Sequence, residues 1–250
     1  MKVSDIYNVL NQMAPLELAL SFDNVGILLG DPGKEVEKTI VCLDCTTAVV
    51  ETAIKEKAEL IITHHPIIFE PLKSVVKSQG NVVYDCLANG ISVISMHTNL
   101  DSSVGGVNDC LAKILELEMV ESVVDDEGFS FRKGNLKKPT SAKELAEFVK
   151  NKLGGNVRYT DGEKNIKTIA VCGGSGGSEL SLAMKNGDAF VTADVKHNVF
   201  IEAALKKYTL IDAGHFYTEN VVVEPLAETL NQKISNVEFI PFMGTEIKTL

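Results

Sequence analysis

The segment AELIITHHPIIF, residues 58–69, shows the pattern from which the fold can be inferred. Its first half is a short apolar run, which predicts a buried strand, and the strand runs into His64 and His65 before Pro66. Neighbouring side chains of an extended segment point to opposite sides, so the two imidazoles favour two ions, or one ion and a bridging group. A loop conformation would relax this limit. The histidine pair is therefore either a polar turn or part of a metal site.

Strands and helices alternate on both sides of this segment. Predicted strands are KTIVCLDC, ELIITHHP, ISVISMHTNLD, KTIAVCGG, DAFVTAD, YTLIDAGH and VEFIPF. Predicted helices are TAVVETAIKEKA, NVVYDCLANG, GGVNDCLAKIL, SAKELAEFVKNKLGG, SELSLAMKNG, VFIEAALKK and ENVVVEPLAETLNQKI. Such alternation predicts an α/β protein with mixed, mostly parallel sheets covered by helices. A polar, turn-rich stretch, roughly residues 120–158, predicts a hairpin or connector, so we expect two α/β halves, residues 1–122 and 123–250.

Three local features refine these elements. Ser4 is the predicted cap of an N-terminal helix, and Ser141 is the predicted cap of the helix that follows it. Pro225 predicts a helix start or a kink at its position, because proline lacks a backbone N–H group.

Composition excludes several functional classes. A net charge of −10 argues against nucleic acid or an anionic membrane as a partner. No apolar run approaches the ~18 residues that span a bilayer, and the N-terminus lacks a signal-peptide core, so we expect a cytoplasmic protein. The five cysteines are scattered, and we interpret them, including the Cys42–Cys45 pair, as reduced, mostly buried thiols. The sequence contains no Gly-x-Ser-x-Gly motif, and Cys172 has no obvious general base next to it in the sequence. Nucleophilic catalysis by serine or cysteine is therefore not indicated.

Histidines and carboxylates recur where predicted strands end, which is where open α/β sheets bind ligands. Besides the pair at 64–65, His97 is followed by Asp101 and His215 by Glu219, each four residues on. That spacing places His215 and Glu219 on one face of a helical turn. Imidazole with carboxylate suits Zn, Mn, Fe or Co. A bridging carboxylate such as Asp101 or Glu219 would complete a two-metal centre of the hydrolytic kind.

Two histidines have less defined roles. His97 fits the role of a ligand, a support to a ligand or a proton-transfer group. His197 lies at a predicted helix start, and we favour a capping or supporting role for it.

Several motifs in this order resemble those of the Nif-three-like family, whose members carry the name GTP cyclohydrolase I type 2 homolog. The motifs are SFDNVGILLG, THHPIIF, HTNLDSSVGGVND, RKGNL, VCGGSGG, DAFVTADVKHN and GHFYTE. They extend over nearly the whole chain, and their order and spacing are more specific than any single motif.

The resemblance implies both a fold and a metal site. It implies two interlocked α/β halves, with a dinuclear metal site at the C-terminal strand ends between them. Its ligands fall on His64, His65, Asp101, His215 and Glu219, with His97 beside the centre as a candidate proton shuttle. It also implies two divalent ions per chain, a GTP cyclohydrolase-type ring opening and a homohexamer. The chain has Thr192-Ala193-Asp194 where many relatives have Thr-Gly-Asp, and it lacks the inserted domain of longer relatives.

The sequence is compatible with two functions. The first is a metal-dependent hydrolase acting on a small nucleotide-like or cyclic amide substrate. The second is a non-catalytic metal-binding, metal-chaperone or regulatory protein, which the same ligands would serve. The glycine-rich CGGSGGSEL likewise allows either a phosphate-binding loop or a tight turn.

Overall fold

The computed structural model describes residues 1–126 and 128–248, which form two compact units. The first unit contains residues 1–104 and 223–244, and the second contains the described residues within 105–222 and 245–248. The chain therefore returns to the first unit after it has built the second. The division into residues 1–122 and 123–250 stays a prediction.

The first unit is built around a five-stranded sheet. Its elements are α1 (Val3–Met13), β1 (Gly26–Leu29), β2 (Lys38–Cys42), α2 (Thr47–Glu56), β3 (Leu60–Thr63), α3 (Val82–Ala88), β4 (Ser92–Ser95), α4 (Thr98–Ser102), α10 (Val223–Lys233) and β11 (Glu238–Phe242). The strand order is β1-β4-β3-β2-β11. The four strands β4, β3, β2 and β11 are parallel, and β1 joins antiparallel at the β4 edge.

The register of this sheet brings several strand ends to one edge. Thr63 at the end of β3 pairs with Cys42 on one side and with Ser95 on the other. Gly26 at the start of the antiparallel β1 also pairs with Ser95. Residues that follow β2, β3 and β4, and those that precede β1, therefore meet at the same edge. All residues of β3 are buried, as the apolar run predicts.

The predicted cap of the first helix is wrong by two residues. Ser4 lies inside α1, and Lys2 occupies the capping position. The backbone N–H of Lys2 donates to the Asp5 carboxylate at 3.1 Å, so an acidic residue in the first turn replaces the serine hydroxyl. The prediction for Pro225 is confirmed as a start, because Pro225 lies in the first turn of α10.

The second unit is built around a six-stranded sheet. Its elements are α5 (Val107–Ile114), β5 (Glu118–Val124), β6 (Ser130–Thr140), α6 (Ala142–Leu153), β7 (Arg158–Tyr159), β8 (Ile166–Val171), α7 (Leu180–Asn186), β9 (Ala189–Thr192), α8 (His197–Leu205), β10 (Thr209–Asp212) and α9 (His215–Glu219). The strand order is β5-β6-β8-β9-β10-β7.

Among the described residues, parallel pairing in this sheet is confined to its central strands. The strands β8, β9 and β10 run parallel, and β5, β6 and β7 are added antiparallel. The polar stretch in the middle of the chain forms the β5–β6 hairpin, because its connection is too short for the helical crossover that parallel strands need. The predicted α/β class with mixed sheets is confirmed. No helix in the described part of the chain is long and apolar enough to cross a membrane.

Candidate metal centre

The adjacent histidines at the end of β3 are held by different neighbours. Their backbone N–H groups still donate to carbonyl groups at the end of β2, so the segment remains extended. The Nδ1 of His64 lies 2.9 Å from the carbonyl oxygen of Met96, whereas the Nδ1 of His65 lies 2.6 Å from Asp44 Oδ1. The ring centroids are 5.0 Å apart. Because the acceptors follow β4 and β2, each ring is oriented from the opposite side of β3.

Asp101 faces the buried His64. The helix α4 is separated from the end of β4 by two residues, and its first turn brings the Asp101 carboxylate to the sheet edge. Asp101 Oδ1 lies 3.6 Å from His64 Nε2. This distance is too long for a hydrogen bond. An ion with N and O ligands at about 2.0–2.2 Å needs those atoms about 3.0–3.5 Å apart, so the pair fits a divalent ion after a small adjustment. Both side chains are buried, and a buried carboxylate favours a cation beside it.

A second imidazole–carboxylate contact holds His97. Its Nδ1 lies 2.8 Å from Asp23 Oδ1, and the other oxygen of Asp23 accepts the Thr98 backbone N–H at 2.9 Å and the Thr98 hydroxyl at 2.5 Å. Burial alone would raise the pKa of Asp23, but the hydrogen bonds from His97 and Thr98 outweigh it and lower the pKa to about 2. Asp23 is therefore a carboxylate at any physiological pH.

This shift predicts how the stability of the first unit depends on pH. The pKa of Asp23 falls from 3.8 to about 2 on folding, so its stabilisation is complete above 3.8 and is lost as the pH falls through about 2. We expect metal-free Asp23→Asn to be less stable than the metal-free wild type at neutral pH. The difference in their free energies of unfolding should become smaller below pH 3.8. Urea unfolding midpoints measured across this range test the expectation. A gap of constant size down to the lowest pH would contradict it.

Three imidazoles of the first unit form a cluster. The ring centroid of His97 lies 5.3 Å from that of His64 and 5.7 Å from that of His65. One ligand atom from each of the three residues falls within 4.8 Å of the others, a spacing that could hold an ion. His97 is thus placed where either a ligand or a proton-transfer role is chemically available.

The second unit brings His215 and Glu219 together on α9. Their spacing puts both side chains on one face, as predicted, and His215 Nε2 lies 2.8 Å from Glu219 Oε2. His215 Nδ1 lies 2.7 Å from Asp194 Oδ2. Asp194 follows β9 with a left-handed φ of 50°, and Glu219 is buried. This pair offers an imidazole and a carboxylate to a cation.

The glycine loop after β8 packs directly against this pair. The backbone N–H groups of Gly173, Gly174 and Gly176 donate to side-chain oxygens of Asn108, Thr218 and Thr192 at 2.8–3.0 Å. These N–H groups already have acceptors within the chain, which favours a tight turn at this loop over a phosphate cradle. Gly174 has φ +63°, and a Cβ there would overlap Glu219 Oε1 and lie 3.3 Å from His215 Nε2. The turn therefore packs against the Glu219 carboxylate and the His215 ring.

One pattern is common to the four histidines at strand ends. Each Nδ1 has an oxygen acceptor within 2.6–2.9 Å, from Met96, Asp44, Asp23 and Asp194 respectively for His64, His65, His97 and His215. A neutral imidazole whose Nδ1 donates to such an oxygen has its lone pair on Nε2, the atom that can bind an ion. Histidine ligands of metals in proteins are oriented in this way. In His215 the Nε2 also lies 2.8 Å from Glu219 Oε2, so both of its ring nitrogens have a carboxylate oxygen within hydrogen-bond distance.

The three aspartate acceptors were not assigned from the sequence. Asp44 lies two residues after β2, and Asp23 precedes the antiparallel β1, so both lie at the edge of the first sheet that carries His64, His65 and His97. In the second unit Asp194 lies two residues after β9, as His215 follows the neighbouring β10. Their positions after or before strands were a usable signal. His197 is an exposed residue in the first turn of α8, next to the capping residue Lys196. His197 is therefore not the capping residue of that helix.

Comparison with known proteins agrees with these motifs. A family model described as Duf34/NIF3 (NGG1p interacting factor 3) matches residues 1–247. Proteins named GTP cyclohydrolase 1 type 2 homolog are 36% identical in Clostridium perfringens, with 96% of this chain and 95% of that protein covered, and 37% identical in Campylobacter jejuni, with 97% and 99% covered. The crystal structure of a hypothetical protein from Staphylococcus aureus has a TM-score of 0.92 at 27% identity, with 100% of this chain and 99% of that chain covered. The chain belongs to the DUF34/NIF3 family.

Proposed function

We propose that this protein is a metal-dependent hydrolase that acts on a nucleotide-like or cyclic amide small molecule. His64, His65, Asp101, His215 and Glu219 are the proposed ligands of two divalent ions per chain. The observation that supports this assignment is the oriented Nδ1 of each ligand histidine, which leaves Nε2 as the donor atom. The names of the relatives favour a GTP cyclohydrolase-type ring opening as the reaction.

The donor set limits the choice of metal. Imidazole nitrogens and carboxylate oxygens suit Zn, Mn, Fe or Co, whereas thiolate ligands are not part of the proposed set. When bound, such ions lower the pKa of a coordinated water and polarise the bond that is cleaved.

His97 is the proposed proton carrier. Asp23 holds its Nδ1 proton, which orients the ring and favours proton uptake at Nε2. The buried, ionised Asp23 also stabilises the imidazolium that forms when His97 accepts a proton. His97 can then return this proton to the leaving nitrogen or oxygen of the substrate.

A non-catalytic metal-binding or regulatory protein is the second candidate. The three-imidazole cluster favours it, because His97 as a further ligand would occupy a coordination position that a reactive water needs. The two candidates therefore assign opposite roles to the Nε2 of His97.

His97→Gln with a panel of substrates tests the choice. Under the hydrolase proposal, purified protein holds about two divalent ions per chain and turns over one of a set of nucleotides and cyclic amides with Mn, Zn, Fe or Co. His97→Gln then lowers kcat by about 10²–10⁴-fold with the metal content unchanged. Loss of metal in His97→Gln, with no turnover by the fully loaded wild type, would favour the second candidate. Elemental analysis that finds no metal would reject both.

The family resemblance also supports a cytoplasmic homohexamer as the working form of the protein. Sedimentation of the metal-loaded protein measures the oligomeric state.

A further inference from the structure

Two phenylalanines beside His97 are exposed to solvent. Phe22 is 60% exposed and Phe69 is 47% exposed. Their ring centroids lie 6.4 Å apart, and the ring of Phe69 lies 6.3 Å from that of His97. Both distances are within the range of aromatic contacts. The three rings thus form a row that ends at the proposed proton carrier.

Polar contacts hold this row in place. Phe22 precedes Asp23, whose carboxylate binds both His97 and Thr98. Phe69 follows Ile68, whose carbonyl oxygen accepts a hydrogen bond from the Asn24 side chain at 2.6 Å. The tripeptide Phe22-Asp23-Asn24 therefore supplies one ring, orients His97 and fixes the segment that carries the other ring. These anchors keep both phenylalanines near His97 at the surface.

The arrangement of the rings indicates the chemical class of the ligand. The planes of Phe22 and Phe69 are tilted by 59° rather than stacked, and about half of each side chain is exposed, so a third ring can contact them. A flat heteroaromatic ring gains stacking contacts there and offers polar edge atoms to His97. The net charge of −10 disfavours a nucleic acid as the source of this ring.

We propose that Phe22 and Phe69 form a stacking subsite for the heteroaromatic ring of a small-molecule substrate, which they position beside His97. This inference rests on the proposed function and adds the part of the substrate that the protein recognises. A second copy of this chain covering the same rings is the competing occupant.

Binding of GTP, guanosine and inorganic triphosphate to the metal-loaded protein tests the subsite. Phe22→Leu and Phe69→Leu keep an apolar side chain and remove the ring, so each is expected to weaken GTP and guanosine binding by about 5- to 100-fold. Triphosphate affinity and metal content should stay unchanged, and Phe69→Tyr should restore binding. Leu72→Ala is the matched control, since Leu72 is an exposed aliphatic residue nearby in sequence, at 50% exposure.

Other outcomes would overturn the subsite. Equal losses for GTP and triphosphate would show that the rings do not recognise the base, and a wild type that binds neither GTP nor guanosine would show that the subsite is absent. A fall in oligomer mass in the two leucine variants, with base binding unchanged, would assign the rings to a contact between copies. Ring-dependent guanosine binding by a wild type that shows no turnover would support the subsite while counting against the hydrolase.

Discussion

Asp101→Ala is expected to lose metal while its helices and strands stay intact. Its carboxylate lies 3.6 Å from His64 Nε2 at a buried position, where solvent cannot replace it as a ligand. We expect the affinity for at least one ion to fall by more than about 100-fold, because even removal of a group that only supports a ligand costs about 10- to 100-fold. Elemental analysis after dialysis, with circular dichroism on the same samples, measures both expectations.

The thermal stability of this variant gives a second measure. Ligands that bind only the folded state raise its stability, so added metal should raise the Tm of the wild type and should raise that of Asp101→Ala much less. Glu51→Ala is the matched control, because it removes an exposed carboxylate from α2 in the same unit. Full retention of both ions by Asp101→Ala would remove this residue from the proposed ligand set.

Gly174→Ala is expected to weaken metal binding although it removes no ligand. The added Cβ would overlap Glu219 Oε1, and the loop cannot move aside easily because Gly174 N–H donates to Thr218 and Gly174 O accepts from Ala193. Glu219 must therefore turn away from His215. We expect affinity for metal to fall by about 10- to 100-fold, the effect of disturbing the group that orients a ligand. The left-handed φ of +63° should also destabilise the alanine variant by roughly 1–2 kcal/mol.

A second glycine in the same turn provides the control. A Cβ on Gly177 would meet no atom within 4 Å. Gly177→Ala should therefore keep the metal affinity and Tm of the wild type, whereas Gly174→Ala changes both. Metal titrations and thermal unfolding of the two variants, run side by side, make the comparison. Identical behaviour of the two variants would mean that Glu219 adapts and that the turn does not position it.

The fold was largely predictable because its elements are short and strongly patterned. The apolar run before His64 and the runs of β2 and β9 are buried strands, as their sequences predict. The strand β1 was not predicted, because its four residues, GILL, are too few to show an alternating pattern. The position of β1 in the sheet depends instead on its antiparallel pairing with β4. Ser4 was wrongly predicted as the cap of α1. The cap is Lys2, whose backbone N–H donates to the Asp5 carboxylate, and the sequence does not distinguish this contact from a serine cap.

The candidate site was predictable only in part, for a related reason. The spacing of His215 and Glu219 indicates that they cluster, because i,i+4 pairs share a helical face. The acceptors that support the histidines lie far away in the chain: Asp23 is 74 residues from His97, and Asp194 is 21 residues from His215. The local pattern places these aspartates near strand ends, but it does not say which histidine each one contacts.

The sequence by itself determined the α/β class, the strand ends that carry the histidines, and the family through the order of its motifs. These depend on local periodicity and on spacing along the chain, which one sequence contains in full. Only the tertiary structure decided that Asp23, Asp44 and Asp194 orient the imidazoles, and that Gly174 packs against Glu219. Strand register fixes those contacts, because it alone aligns residues from distant segments at one edge of a sheet.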